Sequence, residues 1–499
     1  MPQADILRKI ADLRRRRLEA EGPALGAEVP AEREVPLRPF FAAPEIICEI
    51  KRRSPSAGSI SQIPDPVEQA ERYLTAGAPS VSVLTEEDHF GGSLDDLVAV
   101  KRAFPQLAVL RKDFLFDRRD LELSYRAGAD AVLLIASMLE ADQIAEIFAA
   151  AEDLGMAVLA EAHDREDLAK LRPHRPALVG INSRDLTTFR VDPMVPISLA
   201  PEVDWDCRLV FESGIYWAEQ VRVALEAGFD GILVGEAVVR EPGRIGRLIA
   251  ALEDSPRGGR DSFWALLARR RSPDPAAPGP AAARSRPLVK VCGITREEDA
   301  RLAAELGADL LGFIIADSPR ELPESDLRAL LTSLSGPGGV DCPRIGVLVA
   351  RKGRVLDERR LLRARALLKE GLLNAVQLHG DELSEECALL AYPYYKAIRP
   401  RSAEDLEAGT GYRSPRVLLD GFSAAGYGGT GTAVAEELVD SWRETRSLWL
   451  AGGITPDNVK DLIRRFEPEL LDVASGVEAS AGVKDRNKLI RLFKEIEHA

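Results

Sequence analysis

The sequence lacks the features that mark several protein classes. Its five cysteines are scattered and form neither a CxxC pair nor a cluster with histidine, which argues against a disulfide framework and a zinc site. No stretch of about 18 apolar residues occurs, and the N-terminus has no secretory apolar core, so we expect no membrane partner. These absences predict a cytoplasmic protein in a reducing setting.

Charge and length narrow the class further. Lys and Arg number 66 against 80 Asp and Glu, a net charge of −14, and a broadly acidic surface argues against a nucleic-acid partner. The basic run Arg14–Arg17, within a helix predicted over Asp5–Ala20, is interpreted as a solvated helix face. With 499 residues, 45% of them hydrophobic, the chain is too long for one ordinary core and predicts two or more domains.

Short apolar runs alternate with helix-like segments through the first half of the chain. Eight such alternations in about 210 residues are typical of a (β/α)8 barrel, with a doubly wound open sheet as the structural alternative. Several helices end at a glycine, as in Ala-Gly-Ala-Asp at 127–130, which suits a glycine C-cap. The predicted strands are Glu45–Ile50, Ser80–Thr85, Leu107–Lys112, Ala131–Ile135, Ala157–Glu161, Leu178–Asn182, Arg208–Glu212 and Gly231–Val234.

The same alternation restarts after a stretch rich in Pro, Ala and charge, Arg269–Pro287, which predicts a linker. We therefore predict an α/β protein with two tandem (β/α)8 TIM barrels, at 1–257 with an extra N-terminal helix and at 287–499, joined by a Pro/Ala-rich linker at 258–286. The predicted strands of the second barrel are Leu288–Val291, Leu310–Ile315, Arg344–Val349, Ala375–Leu378, Tyr394–Ile398, Val417–Asp420, Leu448–Ala451 and Leu470–Ala474.

Polar residues gather where strands of the first barrel end, which is where barrels carry their active sites. They are Glu49, Lys51, Lys112, Glu161, Asn182 and Glu212. Taken singly, each fits an exposed position, and a surface salt bridge between Glu49 and Lys51 is an open alternative. Burying that pair would be costly without a functional need. Gly214 and Gly235 follow strands seven and eight, where backbone N–H groups can approach a phosphate. A small phosphorylated substrate and acid/base chemistry are expected.

Several motifs in this half resemble indole-3-glycerol phosphate synthase, over about residues 5–250. They are Glu-Ile-Lys-Arg-Arg-Ser-Pro-Ser-Ala-Gly (49–58), Ser-Val-Leu-Thr-Glu (82–86) with Phe90-Gly-Gly-Ser, Leu-Arg-Lys-Asp-Phe (110–114), Gly-Ile-Asn-Ser-Arg-Asp-Leu (180–186) and Glu-Ser-Gly-Ile (212–215). That family closes a ring on carboxyphenylamino-deoxyribulose phosphate and releases CO2 and water.

The resemblance implies roles for these residues. Lys112 would be the general acid and Glu161 its acid/base partner in dehydration. Lys51 would hold the substrate carboxylate and phosphate, with Glu49 orienting Lys51 and the ring nitrogen. Asn182, Glu212 and Ser213 would position substrate hydroxyls, Gly214 and Gly235 would bind phosphate, and Ser54, Phe90 and Arg184 would also contact substrate. A donor lysine at neutral pH is expected to need its pKa lowered by burial or by a cationic neighbour.

The strand ends of the second barrel show a similar pattern. Cys292 follows strand one, where a buried cysteine acting as a small apolar residue is the plain alternative, and Asp420 ends strand six. Gly452 and Gly453 follow strand seven, and Ser475 and Gly476 follow strand eight, which repeats the phosphate pattern. Gly426–Gly431 formally matches GxGxxG, but it does not follow a strand directly and is discounted as a dinucleotide fingerprint.

Motifs of the second half resemble phosphoribosylanthranilate isomerase over about residues 287–499. They are Lys-Val-Cys-Gly-Ile-Thr (290–295), Gly-Phe-Ile-Ile with Ser-Pro-Arg (312–320), Val-Gln-Leu-His-Gly-Asp-Glu (376–382), Leu-Leu-Asp (418–420) with Gly-Gly-Thr-Gly (428–431), Leu-Ala-Gly-Gly-Ile (450–454) and Val-Ala-Ser-Gly-Val-Glu (473–478). One departure from the family pattern is Ile315-Ala-Asp, where a second Phe and a longer loop are usual, so the sequence leaves the substrate contacts of loop 313–320 open.

That family performs an Amadori rearrangement without cofactor or metal. The resemblance implies that Cys292 is the general base at the sugar C2 carbon, that Asp420 is the general acid at the ring oxygen, and that Arg320 binds the anthranilate carboxylate. His379 would have a supporting role.

The two resemblances together predict a bifunctional enzyme of tryptophan biosynthesis, in which the second barrel makes the substrate of the first. Its expected partners are small phosphorylated substrates, with no cofactor, and the sequence leaves the oligomeric state open, with a monomer compatible. Two alternatives remain: that one barrel is an inactive scaffold, or that the chain is a non-catalytic phosphosugar-binding protein.

Overall fold

The computed structural model describes residues 6–42, 44–54, 58–59, 65–185, 188, 190–241, 243–255, 262–271, 286–350, 357–388, 390, 392–421 and 433–499. The chain divides into two compact units, Met1–Arg260 and Asp261–Ala499. No helix of the described part is long and apolar enough to cross a membrane.

The first unit contains a closed barrel of eight parallel strands. The first strand pairs with both the second and the eighth, which rules out the open-sheet alternative. Its strands are β1 (Ile46–Ile50), β2 (Ser80–Leu84), β3 (Ala108–Lys112), β4 (Ala131–Ile135), β5 (Ala157–Ala162), β6 (Leu178–Asn182), β7 (Arg208–Glu212) and β8 (Gly231–Val234).

Helices alternate with these strands, as the sequence predicts. They are α1 (Ile6–Glu21), α2 (Pro66–Thr75), α3 (Leu94–Ala103), α4 (Arg118–Ala127), α5 (Ala141–Leu154), α6 (Arg165–Leu171), α7 (Met194–Leu199), α8 (Ala218–Glu226), α9 (Glu236–Arg240) and α10 (Arg244–Asp254). Helix α4 shows the local signals clearly: the Asp117 side chain accepts the Arg119 N–H at its start, and Gly128 ends it with a φ of 101°.

The barrel interior is apolar toward one end and charged toward the other. Ile47, Leu110 and Leu133 belong to the apolar cluster inside the barrel. Because side chains on a strand alternate between faces, Glu49 shares the inward face with Ile47. Glu49 is only 5% exposed, which rules out a surface salt bridge.

Helix α1 corrects one expectation about charge. Arg14 is 2% exposed rather than solvated. Its guanidinium lies 2.6 Å from Asp113 Oδ2 and 3.0 Å from Glu87 Oε2. Since Asp113 directly follows Lys112 in sequence, this buried ion pair fixes α1 against the end of β3.

The second unit repeats the closed barrel of eight parallel strands. They are β9 (Leu288–Cys292), β10 (Leu310–Ile314), β11 (Arg344–Leu348), β12 (Ala375–Leu378), β13 (Tyr394–Ile398), β14 (Val417–Leu419), β15 (Trp449–Ala451) and β16 (Leu470–Val473). Its helices are α11 (Phe263–Arg271), α12 (Glu297–Glu305), α13 (Glu324–Ser335), α14 (Glu358–Lys369), α15 (Ser384–Ala388), α16 (Ala403–Gly409), α17 (Glu436–Arg443), α18 (Val459–Phe466) and α19 (Arg486–Glu497).

Helix α11 corrects the predicted linker at 258–286. Phe263 and Trp264 are 2% and 1% exposed, and their rings lie 6.4 Å from Tyr395 and 6.2 Å from Trp449. Both partner residues stand near the amino-terminal ends of their strands. The aromatic start of α11 therefore packs against the second barrel, and this part of the predicted linker is an element of the second unit.

Candidate active sites

A cavity opens at the carboxyl ends of the strands in the first barrel, with about 150 Å³ of space for water-sized molecules. Ten of the predicted site residues line it: Glu49, Lys51, Phe90, Lys112, Glu161, Asn182, Arg184, Ser213, Gly214 and Gly235. Glu212 lies directly behind them and is fully buried. The side chain of Ser54 lies outside the described residues.

Lys112 stands at the centre of a cluster of carboxylates. Its Nζ lies 3.2 Å from Glu212 Oε2, 3.6 Å from Glu49 Oε2 and 3.9 Å from Glu161 Oε2. Lys51 Nζ lies 2.7 Å from the other oxygen of Glu49. The two lysines are therefore joined through one carboxylate, which places two cations and three acids around a single space.

The electrostatics of Lys112 differ from the expectation. Burial lowers the pKa of Lys112, but Glu212, Glu49 and Glu161 outweigh burial and raise it above the ordinary lysine value. The side chain therefore holds its proton firmly at neutral pH and is present as an ammonium group. In this barrel the carboxylates, rather than a cationic neighbour, decide the protonation of the candidate general acid.

The pKa values of Glu161 and Glu212 shift in opposite directions. Burial would raise the pKa of Glu161, but His163, whose Nε2 lies 3.1 Å from Glu161 Oε1, and Lys112 lower it below the ordinary value. Burial raises the pKa of Glu212 to about 8, and Glu161 shifts it the same way while Lys112 opposes. At neutral pH Glu161 is ionised and Glu212 is protonated, which is the division that paired acid/base chemistry needs.

Two carboxyl oxygens in this cluster are buried without a hydrogen bond from any described residue. They are Oε2 of Glu161 and Oε1 of Glu212. Buried acceptors without partners are uncommon and costly. Glu161 lines the cavity, so its Oε2 is suited to accept a hydrogen bond from a substrate hydroxyl or amine, whereas Glu212 lies behind the lining with its Oε1 against Gly180.

Two of the predicted phosphate-binding glycines, Gly214 and Gly235, lie where an added side chain would clash. A Cβ on Gly235 would lie 2.4 Å from Glu49 Oε1 and 3.0 Å from Lys51 Nζ, so this glycine makes room for the Glu49–Lys51 pair. Ser213 and Gly214 both have positive φ, 66° and 74°. A Cβ on Gly214 would also lie 2.5 Å from Val191 Cγ1.

Some cavity residues were not predicted as site residues. Ile10 of α1 reaches the lining, and Tyr216 and Glu236 line it with Tyr216 Oη donating to Glu236 Oε2 at 3.0 Å. Glu236 directly follows strand β8, so position alone could have identified it. Ile10 had no such signal, because its contact depends on how α1 is placed.

In the second barrel, Cys292 and Asp420 are both buried at carboxyl ends of strands, with exposures of 6% and 4%. Burial raises the pKa of the Cys292 thiol, whereas the ammonium groups of Lys290 and Lys484 act against that shift. Asp420 accepts the Gly421 N–H at 2.9 Å on Oδ1 and lies 2.8 Å from His379 Nε2 through Oδ2.

Arg320 lies beside Cys292 despite the unusual loop before it. A Cβ on Gly293 would lie 2.7 Å from Arg320 Cδ. The guanidinium pairs with both oxygens of Glu478, through Nε at 2.9 Å and Nη2 at 2.7 Å. The carboxylate of Glu478 therefore fixes the orientation of Arg320 next to the candidate base.

The loops after β15 and β16 meet at the predicted phosphate residues. Gly452 and Gly453 have φ values of 90° and 66°. A Cβ on Gly476 would lie 1.9 Å from the carbonyl oxygen of Ile454, so only glycine allows the two loops to approach this closely. Ser475 begins the short 3-10 turn that carries Gly476. The GxGxxG match at 426–431 lies outside the described residues.

The geometry of both barrels agrees with the comparisons with known proteins. Residues 31–246 match the family model of indole-3-glycerol phosphate synthase, and residues 289–495 match that of N-(5'-phosphoribosyl)anthranilate isomerase. The chain is 30% identical over 493 residues to "Tryptophan biosynthesis protein TRP1" of Phytophthora nicotianae, a match covering 89% of this chain and 90% of that protein. The chain belongs to the bifunctional indole-3-glycerol phosphate synthase/phosphoribosylanthranilate isomerase family.

Other relatives agree with this placement. The chain is 31% identical over 519 positions to the multifunctional tryptophan biosynthesis protein of Phycomyces blakesleeanus, covering 93% of this chain and 64% of that longer protein. A 198-residue match at 44% identity links it to the indole-3-glycerol phosphate synthase of Carboxydothermus hydrogenoformans, covering 40% of this chain and 75% of that enzyme. The predicted fold and the predicted pair of families are confirmed, and the protein is a bifunctional enzyme of tryptophan biosynthesis. We refer to Met1–Arg260 as the synthase unit and to Asp261–Ala499 as the isomerase unit.

Proposed function

We propose that the two units catalyse consecutive steps. The isomerase unit converts N-(5-phosphoribosyl)anthranilate to carboxyphenylamino-deoxyribulose phosphate, and the synthase unit closes the ring of that product with loss of CO2 and water to form indole-3-glycerol phosphate. The order follows from the chemistry of the two families, because the open-chain ketose made by the first reaction is the compound on which the second one closes a ring.

The observation that carries the synthase proposal is the position of Lys112 among three carboxyl groups in a buried cavity. Lys112 is the general acid that protonates the substrate carbonyl or its hydroxyl. Glu161, held ionised by His163, is its acid/base partner in the loss of water. A protonated donor and an ionised acceptor then face the same substrate.

The remaining residues of this cavity bind and orient the substrate. Lys51 holds the carboxylate and phosphate, and Glu49 orients Lys51, from which it lies 2.7 Å away. Asn182, Glu212 and Ser213 position hydroxyl groups. The further contacts that we assign are Gly214 and Gly235 to the phosphate, and Ser54, Phe90 and Arg184 to the rest of the substrate.

In the isomerase unit, Cys292 takes the proton from C2 of the sugar, and Asp420 gives a proton to the furanose ring oxygen. The cations of Lys290 and Lys484 favour the thiolate that this base requires. The loops of Gly452, Gly453, Ser475 and Gly476 hold the phosphate through their backbone N–H groups.

Arg320 is the residue that we assign to the anthranilate carboxylate. Glu478 occupies its Nε and Nη2 groups. Within the described residues Nη1 makes no hydrogen bond, and its N–H groups therefore remain for a carboxylate next to Cys292.

We also propose that both reactions take place in the cytoplasm. All five cysteines are free thiols, and a base such as Cys292 must stay reduced, which the cytoplasm ensures. No cofactor or metal takes part in either proposed mechanism. Small phosphorylated substrates are the proposed partners, with no nucleic acid, no membrane and a monomer as the simplest state.

The test is to separate the two activities in the full-length chain. Lys112→Ala should abolish ring closure and leave isomerisation intact, whereas Cys292→Ala or Asp420→Asn should do the reverse. Lys170→Ala and Cys342→Ala serve as matched controls outside the two sites. Loss of both activities from one change, in a protein with an intact fold, would refute two independent sites. A non-catalytic phosphosugar-binding protein would bind both substrates and turn over neither.

A further inference from the structure

A chain of buried polar groups crosses the interior of the isomerase barrel. Lys290 Nζ donates to Asp472 Oδ2 at 2.7 Å and also to Gln377 Oε1. Gln377 Nε2 lies 2.5 Å from His379 Nδ1, and His379 Nε2 lies 2.8 Å from Asp420 Oδ2. All five residues are at most 7% exposed. Each of these side chains has a hydrogen-bond partner in the network, which restrains its orientation, while Oδ1 of Asp472 is buried without a hydrogen bond from a described residue.

This network of hydrogen-bonded side chains begins beside the candidate base, Cys292, and ends at the candidate acid, Asp420. Lys290 and Cys292 are two residues apart on β9 and face the same side of the strand. A Cβ on Gly312 would lie 2.6 Å from Cys292 Sγ and 2.9 Å from Lys290 Cε, so both side chains pass over this glycine. Gln377 and His379 are likewise two residues apart, at the end of β12.

The donors in this network of side chains fix the direction of each hydrogen bond. A lysine ammonium group can only donate, so the atom of Gln377 that faces Lys290 must be the amide oxygen. Tyr395 Oη reaches the same oxygen at 2.9 Å. The amide nitrogen of Gln377 therefore faces His379 Nδ1. Since an amide nitrogen can only donate, Nδ1 must be the unprotonated ring nitrogen, and the ring proton lies on Nε2.

We propose that Gln377, oriented by Lys290 and Tyr395, holds His379 as the neutral Nε2–H tautomer and thereby positions Asp420 for its proton transfer. The inference rests on the proposed role of Asp420 as general acid. After Asp420 has protonated the ring oxygen of the substrate, its carboxylate accepts the Nε2–H of His379 on Oδ2 and the Gly421 N–H on Oδ1. Lys290, Gln377 and His379 are positioning residues, and none of them needs to touch the substrate.

A neutral donor suits this task better than an imidazolium. A positively charged His379 would form a full ion pair with Asp420 and hold it in its ionised form before the reaction. Protonation of Nδ1 would also place two donors, the imidazole N–H and the Gln377 amide, against each other. The amide thus opposes the charged form of His379 while leaving its donor function intact.

The test combines a spectroscopic and a kinetic measurement on the full-length enzyme. The chain has five histidines, and ¹⁵N-histidine NMR, with His379→Gln to assign the signal, reports which ring nitrogen carries the proton. In the wild type we expect a protonated Nε2 and an unprotonated Nδ1. Gln377→Glu replaces the amide donor by an acceptor of the same shape, so the proton should move to Nδ1.

The kinetic arm uses the same variant. Gln377→Glu should lower kcat of isomerisation about a hundredfold and leave KM within about twofold, because Asp420 is misdirected while substrate binding is retained. Ring closure by the synthase unit of the same chain, which should be unchanged, shows that the polypeptide is intact. Cys342→Ala alters a buried thiol of the same unit that lies outside this network and contacts the Ala308 carbonyl oxygen, so both the tautomer and kcat should stay close to wild type.

A protonated Nδ1 in the wild type, or a Gln377→Glu enzyme with unchanged ring signals and unchanged kcat, would overturn the inference. Failure of the proposed function has a different signature. If Asp420→Asn leaves isomerisation intact, the role of Asp420 is wrong, whereas the tautomer of His379 is still read directly from the ring signals.

Discussion

A Cβ on Gly180 would lie 2.0 Å from Oε1 of Glu212, so this glycine of β6 makes room for the buried carboxyl group of the neighbouring strand. Gly180→Ala should therefore push Glu212 away from Lys112, from which it now lies 3.2 Å. Because that carboxyl group helps to hold Lys112 in position, we expect ring closure to fall about a hundredfold. The measurement is steady-state turnover of carboxyphenylamino-deoxyribulose phosphate.

The control for this change is Gly246→Ala. Gly246 lies in α10 of the same unit, and a Cβ there would meet no atom within 4 Å. It should leave ring closure unchanged or slightly stabilise the helix. If Gly180→Ala retained wild-type turnover, the placement of Glu212 would have no part in catalysis.

Glu212 also makes stability depend on pH. Its pKa in the folded protein is raised to about 8, whereas an unfolded Glu has a pKa of about 4.3. Between these values the unfolded chain has released the proton while the folded chain keeps it, so the stability of the synthase unit falls as pH rises from about 4.3 to 8. Glutamine at this position does not titrate, so between pH 5 and pH 8 the Glu212→Gln variant should gain on the order of 3.5 kcal/mol in stability relative to wild type.

Hydrogen exchange of the β3 and β7 peptides, compared between the two proteins at each pH, measures this difference. Glu226→Gln is the matched variant, because burial raises the pKa of Glu226 to about 7 on a helix outside the cavity. Glu226→Gln should show a similar stability effect with normal ring closure, whereas Glu212→Gln should lose activity. A pH-independent difference between wild type and Glu212→Gln would contradict the assigned protonation.

The alternation of apolar runs and helices sufficed to predict both barrels. It placed the sixteen strands to within one or two residues, because each strand of a closed parallel barrel is buried on both faces and reads as a short apolar run. The ends of those runs then pointed to the residues that line the synthase cavity. This part of the site follows from strand position alone.

The remaining features depend on contacts between distant parts of the chain. The order of protonation between Glu161 and Glu212 requires the distance of each to Lys112 and His163, which strand ends do not give. The network of hydrogen-bonded side chains that links Lys290 to Asp420 arises because side chains of several strands meet inside one barrel. Alternation predicts that such residues face inward, but not which of them touch.

The burial of Arg14 in the N-terminal helix is another contact between distant parts of the chain that the sequence pattern does not predict. Arg14→Met removes the α1 cation that lies against the buried Asp113, so that among the described residues Arg111, 2.8 Å away, is the cation left beside that carboxylate. We expect a loss of about 3 kcal/mol in the stability of the synthase unit. Ring closure should weaken with it, because Asp113 adjoins Lys112.

Arg16→Ala is the comparison for this variant. Arg16 is exposed on the same helix and, within the part of the chain that the structure describes, donates only to the Asp12 carbonyl oxygen, at 3.2 Å. Its loss should therefore cost less than about 0.5 kcal/mol. Urea denaturation followed by proteolysis of the unfolded synthase unit compares the two. Equal effects of Arg14→Met and Arg16→Ala would mean that the buried ion pair contributes nothing.

Trp264 tests the reassignment of the predicted linker. Its ring is buried against Trp449, and Trp264→Ala should create a cavity that costs the isomerase unit about 3 kcal/mol. Hydrogen exchange in the β15 and β13 peptides should increase, while the synthase peptides should keep their protection. An unchanged exchange pattern in β13 and β15 would show that α11 does not support the second barrel.

The most direct test of the account is to supply the purified enzyme with N-(5-phosphoribosyl)anthranilate alone. We predict formation of indole-3-glycerol phosphate with one CO2 released per molecule, no indole-3-glycerol phosphate from Lys112→Ala or Cys292→Ala separately, and recovery of that product when the two variants are mixed. Absence of CO2 release by the intact wild-type protein, or a mixture of the two variants that stays inactive, would contradict it.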